Sequence, residues 1–380
     1  MERRQIYLEL IGVIRHVLLG EPMPLIPDWE PLIRLASAHK LIGFVYRAAV
    51  GNSDVPAAML EQVEAAYFAA VGAQVRQDHF AGELFAALRA RELPYMPLKG
   101  YCLRELYPEP NWRMAQDLDI LVSEEAREEI DAVLTPLGFS RERGEKGDRY
   151  TLDRVRVSVY TEIPEEDVMR AEGETLRDSL VTEDGILYRF TPTALYAALL
   201  SRMCRNFDTG EGIGIRSVLD LHMCRSRLSE SEREAVHAWA QTRGIAQFVR
   251  AMEALADAWF GDGESTNDLI ILGSYIAAGA TVVGTADAEE TKKTGRLRRI
   301  FPRYASMKRK YPVLKYLPFL LPLFWVARWL SLPFSKRAAE SVTATEDRRE
   351  KMLARVREIT GLTAAETAGA ATSALPGENF

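Results

Sequence analysis

Residues 113–122 read Arg-Met-Ala-Gln-Asp-Leu-Asp-Ile-Leu-Val, and this stretch decides how the rest of the chain is interpreted. Its second half, 118–122, is apolar apart from Asp119, which predicts a strand. Side chains two residues apart on a strand point to the same side, so Asp117 and Asp119 would converge from one face. Such a pair is electrostatically costly unless a cation lies between the carboxylates. Mg²⁺ binds carboxylate oxygens and substrate phosphates, so the pair predicts a magnesium site.

The segment upstream of the two carboxylates has the features of a phosphate site. Residues 95–98 predict a short strand, which Lys99-Gly100 connects to a helix over 101–107. A glycine turn at a helix N-terminus presents backbone N–H groups to anions, and Lys99 adds a point charge. A bare Asp-x-Asp pair is also typical of a polar strand edge. Together with Lys99, Gly100 and Arg113, however, it favours metal-assisted phosphoryl or nucleotidyl transfer.

The sequence on either side of this stretch predicts an α+β fold. Ser123 is the predicted N-cap of a helix that follows the carboxylate strand. Residues 149–152 and 155–163 predict a hairpin around Asp153-Arg154, with alternate valines on one face. This middle unit is therefore expected to be a small mixed sheet with helices on one side.

Helical patterns flank this unit on both sides. The N-terminal helices include one predicted over 29–50 and a long one over 55–93, and four more are predicted between 194 and 259. The stretch 269–284 is apolar but short for a membrane span, so a buried helix or loop is expected. The predicted division is an N-terminal helical region (1–93), a catalytic core (94–190), a C-terminal helical domain (191–290), a basic aromatic segment (291–361) and a disordered end (362–380).

Composition limits the function classes. The 380 residues are 47% hydrophobic and 27% charged, which are globular proportions. A net charge of -6 argues against a uniformly basic surface and against nucleic acid as the partner. The three cysteines form no close pair, so reduced thiols and a cytoplasmic location are expected. Cys102 follows the phosphate turn without a visible base, so it is expected to serve packing rather than catalysis.

The C-terminal segment is basic, whereas the chain as a whole is acidic. Residues 291–339 contain thirteen lysines and arginines and no acidic residue, and they enclose an aromatic, leucine-rich run over 316–334. Such a segment is suited to peripheral contact with an anionic membrane surface. The alternative is a packed subdomain whose basic face binds a phosphate-bearing acceptor. The prolines that interrupt the run favour the packed alternative.

The two site segments resemble one family. Residues 97–108, Pro-Leu-Lys-Gly-Tyr-Cys-Leu-Arg-Glu-Leu-Tyr-Pro, and 113–122 are similar to the uncharacterised nucleotidyltransferase family of the polymerase-β-like superfamily, in which Lys-Gly replaces the usual Gly-Ser. Weaker similarity is found at Ala38-His39, at Arg216 and Asp220, and in the proline-rich tail. The resemblance implies a small mixed sheet between helical regions.

The resemblance also implies roles for individual residues. Asp117 and Asp119 would hold one or two Mg²⁺ ions that bridge the nucleotide phosphates. Lys99 and Gly100 would bind phosphate, and Arg113 would steady the leaving pyrophosphate or the carboxylate strand. Arg216 and Asp220 either contact the nucleotide or acceptor from the helical region, or form an ion pair on the helix surface.

The superfamily normally has a third carboxylate on a strand that follows the one with the Asp-x-Asp pair. This chain has no acidic residue at the corresponding position. Ser158 falls at that acid position, and Tyr160 at a position where the family often has His. Glu162 lies an even number of residues after Ser158, so on a continuing strand its side chain would point to the same face, and it is the first candidate to replace the missing acid. Asp153, in the turn, is a weaker candidate. Without a third carboxylate, the second metal position and the activation of the acceptor hydroxyl are expected to be weaker.

Three functions follow from these patterns. The first is Mg²⁺-dependent transfer from a nucleoside triphosphate to an acceptor hydroxyl or phosphate. Relatives among lasso-peptide tailoring genes imply a ribosomally made, already phosphorylated peptide as acceptor, and the same site could instead transfer a sugar from a nucleotide sugar. The second is a catalytically degenerate nucleotide-binding module. The third, transfer to an RNA end, is disfavoured by the acidic charge and the lack of an aromatic RNA-binding motif.

Overall fold

The structure is a computed structural model that describes residues 2–98, 100–115, 117–144, 147–153, 155–163, 180–208, 213–283 and 351–362. The chain divides into one unit of Met1–Thr281 with Arg357–Phe380 and a second of Val282–Val356. The sheet and the candidate site belong entirely to the first unit. Most of the predicted basic segment, 291–361, lies outside the described residues.

Four helices form the N-terminal region: α1 (Glu2–Leu19), α2 (Trp29–Ala38), α3 (Ile42–Ala49) and α4 (Ala57–Ala90). The single helix predicted over 29–50 is wrong, because the chain turns between α2 and α3. Lys40 takes a left-handed conformation there, with φ 59°, although neither glycine nor proline marks the turn. The long helix predicted over 55–93 is confirmed as α4.

The middle unit contains five strands and two α-helices. They are β1 (Tyr95–Pro97), α5 (Gly100–Leu103), β2 (Leu118–Val122), α6 (Ala126–Leu134), β3 (Ser140–Gly144), β4 (Gly147–Leu152) and β5 (Val155–Tyr160), with 3₁₀ turns at Arg104–Leu106 and Pro110–Trp112. The predicted carboxylate strand and hairpin are confirmed. Ser123 is not the N-cap of α6, which begins after Glu125 without a side-chain cap.

The sheet has the order β1-β2-β5-β4-β3. β2 pairs with β5 in parallel, and the other neighbouring strands are antiparallel. One face of β2 and β5 is buried against α4 and α6 through alternate apolar residues, which are Leu118, Ile120, Val122, Val155, Val157 and Val159. Because side chains alternate along a strand, Asp119 and Ser158 belong to the opposite face. This mixed sheet between helical regions confirms the predicted α+β class.

The chain continues through a two-stranded sheet of β6 (Leu180–Thr182) and β7 (Tyr188–Phe190) into five helices. They are α7 (Pro192–Asp208), α8 (Ile215–Arg225), α9 (Glu230–Thr242), α10 (Ala246–Phe260) and α11 (Asn267–Val283). Helix α11 thus covers most of the apolar stretch 269–284, for which either a buried helix or a loop was predicted. Within the described ranges, no helix combines the length and apolar character that crossing a membrane requires. A short helical stretch covers 351–360.

Candidate active site

The polar face of β2 presents the two carboxylates beside β5. Asp119 pairs in register with Ser158 of the neighbouring parallel strand. Asp117 stands just before β2, and its Oδ2 accepts a hydrogen bond from Nη1 of Arg156 at 3.4 Å. The backbone carbonyl of Asp119 accepts a hydrogen bond from the N–H of Leu98 at 2.7 Å. Asp117 is thus in contact with β5 through Arg156, and the backbone of Asp119 is hydrogen-bonded to Leu98, which follows β1.

A cavity of about 350 Å³ is lined by the sheet and by helices α5, α7 and α8. Its lining contains seven of the eight predicted site residues, which are Gly100, Arg113, Asp117, Asp119, Glu162, Arg216 and Asp220. The eighth, Lys99, lies outside the described residues. One space is thus shared by residues that are as much as 120 positions apart in the chain.

No carboxylate faces Asp119 from the paired position of β5. Ser158, which the sequence placed at the family's acid position, lies opposite Asp119 in the register of β2 and β5. Glu162 lines the same cavity, whereas Asp153 lies in the β4–β5 turn and is not among its described lining residues. No group of three or more His, Cys, Asp or Glu side chains that could hold a metal ion is found within the described part of the chain. A cation bound to Asp117 and Asp119 would need further oxygen ligands from substrate or water.

Arg113 and Asp220 form a buried ion pair that joins the sheet region to α8. Nε of Arg113 donates to Oδ1 of Asp220 at 2.7 Å, and Nη2 donates to Oδ2 at 2.9 Å. The hydroxyl of Tyr107 donates to the same Oδ1 at 2.7 Å. Burial tends to lower the pKa of Arg113, but Asp220 outweighs it, and the pKa is raised. Asp220 is therefore bound to Arg113 and Tyr107 within the core, not to Arg216 on a helix surface.

Gly100 begins α5 directly against this pair. A Cβ atom on Gly100 would lie 3.2 Å from Nη1 of Arg113. Because the guanidinium is held by Asp220 and donates to the carbonyl of Met114 at 3.2 Å, it has little room to move. A side chain at position 100 would therefore crowd the guanidinium of Arg113, which glycine avoids.

Arg216 provides a second guanidinium at the α8 end of the cavity. Its Nη1 donates to the carbonyl of Met114 at 3.2 Å. Burial lowers the pKa of Arg216 to about 10, and repulsion from Arg113 adds to the effect, while Asp220 and Asp117 partly offset it. The guanidinium nevertheless remains charged at neutral pH, so Arg216 is suited to bind an anion in the cavity.

Helix α4 braces the loops that carry the site. The amide oxygen of Gln74, which is buried, accepts a hydrogen bond from the N–H of Ala115 at 2.8 Å, two residues before Asp117. Asp78, one turn later, accepts bonds from Nη1 and Nη2 of Arg104 at 2.7 and 3.1 Å. The N-terminal region thus holds both the approach to the carboxylate strand and the helix after the phosphate turn.

Helix α7 also contributes side chains to the cavity, which was not predicted from the sequence. Arg202, Arg205 and Asn206 line the cavity near one end of this helix, and Leu195, Ala198 and Leu199 line it nearer the other. The i, i+3 spacing of the two arginines places them on one helix face, which is a signal that the sequence does contain. Its role became apparent only from the tertiary fold, in which α7 and β2 line the same cavity.

Cys102 has the structural role that the sequence predicted. Its Sγ donates a hydrogen bond to the carbonyl of Pro97 at 2.9 Å. Burial raises the pKa of the thiol to about 12, so it stays protonated at neutral pH. A nucleophilic role would require the thiolate, which the raised pKa disfavours.

The chain was compared with known proteins. Two solved structures of the antibiotic-resistance factor ANT(2'')-Ia are similar at 15% identity. The solution structure matches with a TM-score of 0.34, and the match covers 47% of this chain and 97% of that chain. The crystal structure in complex with adenylyl-2''-tobramycin matches with a TM-score of 0.33, and that match covers 44% of this chain and 99% of that chain. No curated protein matches. The sequence model described as "Uncharacterised nucleotidyltransferase" matches residues 27–261, which include the whole cavity described above. The chain therefore belongs to this nucleotidyltransferase family.

Proposed function

We propose that this chain is a Mg²⁺-dependent transferase that moves a nucleotidyl group from a nucleoside triphosphate to an acceptor hydroxyl or phosphate. The observation that carries the proposal is the meeting of Asp117 and Asp119 with Arg216 in one cavity. Carboxylates without a cation would repel a triphosphate, and arginines without a metal would bind it without organising the reaction.

The residues of the site fit magnesium. Asp117 and Asp119 offer the hard oxygen ligands that Mg²⁺ prefers, and substrate phosphates commonly complete its coordination. Bound there, the ion would neutralise phosphate charge and favour attack on the α-phosphorus. The ion pair between Arg156 and Asp117 is partly exposed and long, so this contact would oppose metal binding at Asp117 only weakly.

The remaining residues have distinct roles in the proposed reaction. Gly100 and Lys99 would bind the donor phosphates, and Arg216 would bind the developing pyrophosphate. In the chemical step the acceptor oxygen bonds to the α-phosphorus while the bond to the pyrophosphate oxygen breaks. Glu162, which lines the same cavity, would accept the acceptor's proton. Arg113 and Asp220 are assigned to positioning, because their polar groups are occupied with each other.

The acceptor is proposed as a ribosomally made peptide, of the lasso-peptide kind, that carries an anionic group. Arg202 and Arg205 support an anionic acceptor, because they add positive charge to the cavity wall on α7. Donation of a sugar from a nucleotide sugar is the second candidate, since the same metal and arginines serve a diphosphate. A nucleotide-binding module without turnover is the third, and Ser158 opposite Asp119 favours it.

The test begins with purified protein, Mg²⁺, and each labelled nucleoside triphosphate or nucleotide sugar, together with a panel of phosphorylated and unmodified peptides. Release of pyrophosphate supports nucleotidyl transfer, and release of nucleoside diphosphate supports glycosyl transfer. Asp117→Asn and Asp119→Asn should each abolish release, whereas Asp54→Asn, at an exposed position, should leave it intact. Unchanged turnover in both site variants would refute the metal assignment. Nucleotide binding without any release would favour the module.

A further inference from the structure

The lining of the cavity changes in character along the direction of β2. Before the strand, Arg113 and Arg216 line the cavity, and both donate hydrogen bonds at 3.2 Å to the carbonyl of Met114. Asp117 and Asp119 come next along the chain and line the same cavity. The two guanidinium groups are therefore held at the loop that enters β2, and the carboxylates follow them.

Beyond the carboxylates, the same face of the sheet becomes apolar. Leu121 follows Asp119 on this face of β2, and it pairs in register with Tyr160 of β5. At the usual rise of a strand, this pair lies about 7 Å past Asp119. Leu121 belongs to a small buried cluster. Three half-buried side chains pack against that cluster and also line the cavity, namely Tyr160, Ile163 and Phe190.

Helix α7 extends this apolar lining. Strand β7 ends at Phe190, and α7 begins two residues later. Leu195, Ala198 and Leu199 line the cavity from one face of the helix, which their i, i+3 and i+4 spacing brings together. They are half-buried, whereas Tyr196, on another face of the helix, is buried. The leucines thus leave apolar surface inside the cavity, where the apolar part of a ligand would cover it.

Resting on the proposed function, we propose that this apolar end of the cavity binds the base of the donor nucleoside triphosphate. The apolar end is defined by Tyr160, Ile163, Phe190, Leu195 and Leu199. In a nucleoside triphosphate the α-phosphorus lies between the base and the terminal phosphates. The cavity has the matching order, with carboxylates between its arginines and its apolar side chains. Every base has a π-face that stacks on an aromatic ring, so Phe190 would be the stacking partner and the leucines would enclose the base.

The experiment separates contacts with the base from contacts with the phosphates. Calorimetric titration of the full chain in Mg²⁺ compares ATP, GTP, CTP and UTP with inorganic tripolyphosphate, which has no nucleoside. Phe190→Ala should weaken binding of the nucleoside triphosphates by about tenfold and change the affinity for tripolyphosphate little. Phe80→Ala is the matched control, because Phe80 is half-buried and packs on the opposite face of the sheet. It should lower Tm and leave both affinities unchanged.

Two further variants keep the test independent of the folding of Phe190→Ala. Phe190→Leu retains apolar packing without the ring, and Leu199→Ala shortens the opposite wall. Each should weaken the nucleoside triphosphates selectively, by a smaller factor than Phe190→Ala.

The possible outcomes distinguish this inference from the proposed function. If wild type binds tripolyphosphate as tightly as the nucleoside triphosphates, the base subsite alone is overturned. Unchanged nucleotide affinity in the Phe190 and Leu199 variants would also overturn it, and the apolar end would then be left to the acceptor. An equal loss in Phe80→Ala would overturn it because the effect would not be local. A wild-type chain that binds neither ligand class would overturn the proposed function and this inference with it.

Discussion

Asp119 on β2 lies directly opposite Ser158 on β5, in the one parallel pairing of the described five-stranded sheet. Parallel neighbours in register direct their side chains to the same face, so a carboxylate at 158 would stand beside Asp119. The serine hydroxyl cannot replace a charged oxygen ligand. The register therefore identifies position 158 as the place where a further carboxylate would stand beside Asp119 in the proposed metal site.

Ser158→Asp is expected to strengthen metal binding. The added carboxylate should repel Asp119 and lower Tm without metal, and Mg²⁺ should then raise Tm more than in wild type. Metal at a hundredfold excess over Kd stabilises the fold by about 2.7 kcal/mol. Thermal unfolding with and without Mg²⁺ measures both effects. Ser140→Asp, at an exposed position of β3, is the control, and an equal Mg²⁺ response in the two variants would contradict the prediction.

Breaking the buried ion pair is expected to be costly. Asp220→Asn leaves the Arg113 guanidinium buried opposite a neutral group, and loss of one partner of such a pair destabilises a fold by about 3–5 kcal/mol. Urea denaturation measures the change. Arg34 forms an exposed i, i+4 pair with Glu30, so Arg34→Ala should have little effect. A small loss in Asp220→Asn, similar to that in Arg34→Ala, would show that the pair contributes little.

Gly100→Ala and Gly72→Ala are expected to have opposite effects. A Cβ on Gly100 meets Arg113 at 3.2 Å, so the variant should lose about 1 kcal/mol of unfolding free energy and bind nucleotide more weakly. Gly72 lies within α4 with open space around it, and alanine there should stabilise the helix by up to about 1 kcal/mol. Chemical denaturation and nucleotide titration of the two variants test the contrast. Equal stability changes in both would refute the packing role of Gly100.

The fold is expected to weaken in mild acid through His39. Burial, with repulsion from Arg216, lowers the pKa of His39 to about 4 from its ordinary 6.5. Below pH 6.5 the unfolded chain binds a proton that the folded chain excludes, so stability falls as pH falls from 6.5 to 4. A shift of this size corresponds to about 3 kcal/mol.

His39→Gln provides the test of that pH dependence. The variant should be less stable at neutral pH, because the N–H of Ile215 loses its acceptor, but its stability should change less between pH 6.5 and 4. Denaturation midpoints across this range are the measurement. A pH dependence identical to that of wild type would assign the acid effect to other groups.

The sequence identified the parts of the fold that depend on local pattern. The alternation of Val155, Val157 and Val159 predicted β5, and the apolar residues around Asp119 predicted β2. β3 was missed, because Ser140–Gly144 is a charged edge strand with little apolar signal. The turn at Lys40 was missed, because a left-handed lysine has no compositional signal.

The site was predictable as a set of residues but not as a set of contacts. The i, i+4 spacing of Arg216 and Asp220 suggested a local ion pair, yet Asp220 binds Arg113, 107 residues away in the chain. The tertiary packing that brings α8 beside the loop of Arg113 decides this pairing, and no local pattern encodes it. The arginines of α7 were overlooked for the same reason.

The separation between Arg113 and Asp220 also has a consequence during synthesis. Asp220 is the 107th residue that the ribosome adds after Arg113, so the interval lasts roughly 5 to 20 seconds at ordinary elongation rates. During this interval the sheet can begin to pair, but Arg113 has no anionic partner from α8. The nascent chain therefore contains its carboxylate strand well before the ion pair between Arg113 and Asp220 can form, and the lining of the cavity is complete only after α8 has been translated.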